Sequence, residues 1–165
     1  MLPVVKVSYK AAIKQNCRWV TILAVLFVSA FSGGWKGHAQ INAEQMLRVG
    51  QNALYFDDYM VSIQYFNQAI MAKPYLAQPY FMRAIAKLNL EDYLGAEEDA
   101  SAAIERNPFI ADAYEVRGVA RQNRGRLAEA VEDYNSALKL LPRNRQLLFN
   151  KALACLLYTS PSPRD

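Results

Sequence analysis

From residue 43 onward, apolar side chains recur at three- and four-residue intervals in pairs of runs, each pair parted by a short polar break. The pairing repeats. Ala111–Asn144 lies one 34-residue step after Ala77–Ile110 and two steps after Ala43–Leu76. Numbering each copy from its opening Ala, position 4 reads Met46, Tyr80, Tyr114 and position 8 reads Gly50, Ala84, Gly118. Position 17 is Tyr59, Tyr93, Leu127, position 27 is Ala69, Ala103, Ala137, and position 32 is Pro74, Pro108, Pro142. The spacing predicts two helices per copy. Positions 4, 7–8 and 11 share one face of the first, and positions 20, 24 and 27–28 one face of the second. Small residues at 8, 20 and 27 let the two backbones approach, while Phe66 and Tyr134 at position 24 fill the space beside the crossing. Phe56–Asp58, Asn89–Asp92 and Asn123–Arg126 supply the turns, and the Pro at 32 ends each second helix. A lone pair of helices cannot bury its apolar face, so successive copies must stack.

A period near 34 with this distribution of small residues and Pro resembles the tetratricopeptide repeat. The resemblance implies an all-α, right-handed superhelical solenoid of antiparallel helix hairpins. It would hold three complete repeats (43–76, 77–110, 111–144) and a partial fourth at 145–154. Arg83 with Asp99 and Arg117 with Asp133, at positions 7 and 23, match a common sub-type and predict an ion pair across the hairpin or to the next one. Copy one has Val49 and Tyr65 there, and copy two has Ala100 where an aromatic is usual.

The same resemblance implies that ligands lie in a concave groove lined by first helices, chiefly at positions 2, 5, 9, 12 and 13. Carried onto this chain, the candidate lining is Leu47, Gln51, Leu54 and Tyr55, then Phe81, Ile85, Leu88 and Asn89, then Glu115, Val119, Gln122 and Phe149, with Asp112 at position 2 of copy three. A well-known version of the family clamps the carboxylates of a peptide's C-terminus with Lys, Asn and Arg. The matching places here are Leu47, Gln51, Met82, Asp112 and Val116, so a chaperone-tail clamp is not expected. What remains is an apolar patch with an amide rim, suited to an extended or helical apolar peptide. The competing reading is that Leu54 and Leu88 only pack between hairpins and that Phe149 serves a missing helix.

Charge changes the picture once it is located. The formal net charge is +4, but residues 1–39 carry five basic and no acidic side chains. Residues 40–154 carry 13 basic and 14 acidic ones, a balance of −1, which removes the electrostatic case for nucleic acid. Residues 1–39 read as a signal peptide: a basic start, the apolar run Val20–Phe31, and Gly37-His38-Ala39 before a cleavage at Gln40. The run is short for a membrane span, and an uncleaved anchor is the alternative. Either reading places the repeats outside the cytoplasm, in a bacterial periplasm or beyond.

At the other end, Cys155–Asp165 (CLLYTSPSPRD) reads as a sequencing adapter translated in one frame, which makes the chain an N-terminal fragment. Residues 40–154 contain no Cys and no His, which excludes thiol–imidazole and Ser–His–Asp catalysis there, as well as thiolate or imidazole metal ligation. No Gly-rich phosphate loop occurs, and no cofactor is expected. Arg121–Arg126 is a basic turn, read as a solvated loop rather than an anion site. The expectation is a non-catalytic scaffold for a protein or peptide partner, with self-association through the repeats a further option. The rival is the repeat region of a longer enzyme, sensor or wall-binding protein.

Overall fold

The computed structural model describes residues 43–159; residues 1–42, which include the expected signal peptide and its cleavage site, and Ser160–Asp165 lie outside the described residues. Everything described is helix and connecting turn. The order is α1 (43–55), α2 (Tyr59–Ala72), α3 (Ala77–Asn89), α4 (Tyr93–Arg106), α5 (Ala111–Asn123), α6 (Leu127–Leu140) and α7 (Arg145–Thr159). From α2 onward each helix packs on the one that follows it, and Gly50 of α1 lies against Phe66 of α2, giving three antiparallel hairpins and a seventh helix stacked in line.

The hairpin turns are one device used three times. The position-16 N–H reaches back five residues, Asp58 to Ala53 O and Arg126 to Arg121 O at 2.8 Å and Asp92 to Lys87 O at 2.9 Å. The preceding N–H bonds three residues back, which completes a Schellman closure of the first helix. That closure needs a left-handed residue at position 15. Copy three supplies Gly125 (φ 77°), whereas copies one and two force Asp57 (φ 60°) and Glu91 (φ 62°) into the same region.

Small residues stand where the crossings need them: Ser62, Ala84, Ala96, Ala103, Ala130 and Ala137 are fully buried, and Ala69 nearly so. A Cβ on Gly50 would lie 2.6 Å from Phe66 Cε1, and one on Gly118 would lie 2.7 Å from Tyr134 Cε1. Glycine there is what lets a fully buried aromatic lie against the first helix. Copy two has neither partner. Ala84 meets Ala100 instead, and Val116 from the next copy joins them in one buried cluster.

The first helices bury a second face that the sequence periodicity did not separate. Positions 3 and 10 are Pro79 and Ala86, Ala113 and Ala120, Leu147 and Ala154, all buried, the last two in the cluster of Ala130, Tyr134 and Ala137 from the preceding hairpin. On α1 the same places hold exposed Gln45 and Asn52. Leu147 and Ala154 cover copy three, whereas Leu148, Phe149 and Leu153 are exposed, as is Ala152 at position 8.

The two expected ion pairs form. Arg83 Nε donates to Asp99 Oδ2 at 2.7 Å, and Arg117 Nη2 to Asp133 Oδ1 at 2.7 Å, both partly buried. A third guanidinium nitrogen reaches the preceding second helix, to Asn67 Oδ1 at 2.5 Å from Arg83 and to Ser101 Oγ at 3.3 Å from Arg117. One arginine therefore ties three helices together.

Candidate functional site

Successive first helices touch directly, α3 with α5 and α5 with α7, while α4 and α6 do not meet. In a curved stack the elements on the inner circumference come closest, so first helices line the concave side. Residues from α3 form its most continuous apolar stretch. Phe81, Ile85 and Leu88 are half-buried, each resting on the Ala84–Ala100–Val116 cluster while keeping part of its surface in solvent. Val119 does the same against the cluster built on Tyr134, Leu147 and Ala154. The two readings of these side chains thus combine: they pack between hairpins and also present apolar surface. Leu47, Gln51 and Leu54 are half-buried on α1.

The candidates do not form one continuous strip. Tyr55 is 83% exposed and stands edge-on to Phe56 at the tip of the first turn, ring centroids 5.3 Å apart. Phe149 is 63% exposed on α7. Asn89 Nδ2 donates to Ile85 O at 2.9 Å, which spends its amide on its own helix. Gln122 Oε1 accepts the buried Tyr134 hydroxyl at 3.0 Å. Glu115 is half-buried between α5 and α7, and its Oε1 accepts from Asn150 Nδ2 at 2.9 Å. Burial, and then the charge of Asp112 one turn earlier, push the Glu115 carboxyl above its ordinary range. Asn150, this partner of a candidate residue, was not singled out in the sequence; it occupies position 6 of copy four, a place the other copies fill with Arg48, Met82 and Val116.

The basic turn is neither a solvated loop nor an open anion site. Arg121 Nε and Arg126 Nη1 donate to Glu97 Oε1 at 2.9 and 2.5 Å, and Arg124 pairs with Oε2 of the same carboxylate. Glu97 belongs to α4 and is only 7% exposed. Burial pushes its carboxyl up, but hydrogen bonding and charge from these arginines outweigh burial and hold it below its usual value. The turn of copy three is therefore latched onto copy two. Its nearest repeat neighbours in sequence gave no sign of this, because the partner lies 24 to 29 residues earlier.

No helix among the described residues is long and apolar enough to cross a membrane. Among those residues no three His, Cys, Asp or Glu side chains group so as to hold a metal ion.

Residues 81–145 match the tetratricopeptide-repeat family model. No curated protein matches the chain. Among solved structures, the second TPR domain of human RPAP3, in complex with the HSP70 peptide SGPTIEEVD, is 27% identical, with a TM-score of 0.69 over 71% of this chain and 98% of that one. The first TPR of Spaghetti (RPAP3), bound to the HSP90 peptide SRMEEVD, is 27% identical, with a TM-score of 0.71 over 72% and 94%. The Arabidopsis OM64 TPR domain is also 27% identical, with a TM-score of 0.70 over 71% and 97%. The hairpin stack is thus the same all-α, right-handed solenoid.

Proposed function

This chain is a tetratricopeptide-repeat protein, and from that premise we propose that its concave first-helix face docks an apolar segment of a protein or peptide partner. The observation that carries the reading is the run Phe81, Ile85 and Leu88, anchored below by the hairpin core and left half-open above. The similar RPAP3 and Spaghetti domains, which hold peptides, support it. Recognition of an acidic chaperone tail does not transfer with them. Leu47, Gln51, Met82, Asp112 and Val116 place no cation where such a tail would need one. The module acts by binding rather than by catalysis.

The test is site-specific photocrosslinking in the producing cell, with a benzophenone side chain at exposed Tyr55 or Gln78 on the first helices and at Gln68 on α2 as control. Adducts to a discrete protein from the first two positions, lost with Ile85→Arg, are the expected result. Equal labelling from Gln68 would sink the groove reading. The leader supports action outside the cytoplasm. Expression in a bacterium should then give a mature N-terminus at Gln40, and intact Met1 on the product would overturn cleavage.

A further inference from the structure

We propose that the copy-three end of the groove accepts a basic side chain: the partner segment carries a Lys or Arg whose cation sits between Asp112 and Glu115, with apolar neighbours lying along Ile85 and Val119. This inference rests on the groove reading and narrows its partner. The ion pairs among the described residues engage Glu44, Glu97, Asp99, Glu129 and Asp133; none engages Asp112 or Glu115. Glu115 is the costly one. It is half-buried between two helices and compensated only by a neutral amide, that of Asn150. A carboxylate withdrawn from water without a cation is unfavourable, and the second acid one turn away makes it worse. An incoming ammonium or guanidinium relieves both at once, and the apolar surface beside it restricts water around the pair. Arg48, the exposed basic residue at a comparable inner position, belongs to α1, two copies away.

The experiment pans the full 165-residue chain against a phage-displayed library of random dodecamers. Clones that lose binding to Ile85→Arg, or to the exposed-site variant Gln78→Arg, are groove-bound; circular dichroism checks that both variants fold. Groove-bound clones should be enriched in Lys and Arg. They should bind Glu115→Gln about tenfold more weakly, the scale of one charge-assisted hydrogen bond. Gln can still accept from Asn150, so an unchanged melting temperature separates lost recognition from lost structure. Glu115→Lys should reverse the preference toward acidic clones. Groove-bound clones without a basic bias, or with undiminished affinity for Glu115→Gln, would overturn the cation site and leave the groove standing. A library yielding no groove-dependent clone would remove the groove itself, and this inference with it.

Discussion

In the hairpin of α5 and α6, Gly118 lies against the ring of Tyr134; in the hairpin of α3 and α4 the same two places hold Ala84 and Ala100. Both crossings are fully buried. The first reaches that state by removing a methyl group so that a large ring fits, the second by setting two methyl groups together and drawing Val116 in from the next copy. The repeat thus constrains the combined volume at positions 8 and 24 rather than either residue alone. Read singly, Ala100 looks like a defect. Read with Ala84, it is a smaller solution to the same packing condition.

That comparison breaks first at the ring. Tyr134→Ala removes the largest fully buried side chain of copy three and orphans Gln122, and should cost about 3–5 kcal/mol in urea unfolding. Gly118→Ala comes next, since its Cβ would meet the ring at 2.7 Å; overpacking of this kind costs about 1–3 kcal/mol. The double variant rebuilds the copy-two pair in copy three. Its loss should be smaller than the sum of the two single losses, and strict additivity would refute the combined-volume rule. The turns give a smaller effect. Glu91→Gly should gain up to about 1 kcal/mol, because copy two then closes its hairpin with the residue copy three already uses. The last difference shows chiefly as a pH dependence. Glu97 is held below its ordinary value, so its contribution is present above about pH 4.5 and is lost as pH falls through the lowered value. The gap in urea midpoint between the parent and Glu97→Gln should therefore narrow on titration into that acid range. A gap constant with pH would remove the latch from the stability of copy three.

Much of this could be read before any coordinates. The period, the small residues at 8, 20 and 27, and the pairs Arg83–Asp99 and Arg117–Asp133 follow from equivalence between copies, which a repeat displays in its own sequence. Contacts between non-equivalent positions are what stayed hidden. Leu147 and Ala154 pack backward onto copy three, and Glu97 takes three arginines from the following copy. Nothing in a periodic pattern says which neighbour a second apolar stripe will meet. The lining proposed for the groove came from helix positions alone, and those positions did not disclose the bonds their side chains make. Asn89 and Gln122 turned out to be committed to internal bonds, and Glu115 gained its burial from α7.

The latch at Glu97 also bears on the order in which the array comes apart. Hairpins in a stack touch only their neighbours, so structure is lost from whichever junction is weakest, like a zipper with uneven teeth. Among the described residues, copy two meets copy one through bonds to neutral acceptors alone, from Arg83 to Asn67 Oδ1 and from Tyr80 and Arg106 to Pro74 O, and Val49 and Tyr65 leave copy one without the internal arginine–aspartate pair. Copy three meets copy two through a carboxylate gripped by three guanidinium groups. Amide protons of α2 should therefore exchange with deuterium well before those of α4 and α5, and a partner that grips α3 and α5 would close on the part of the molecule that opens last.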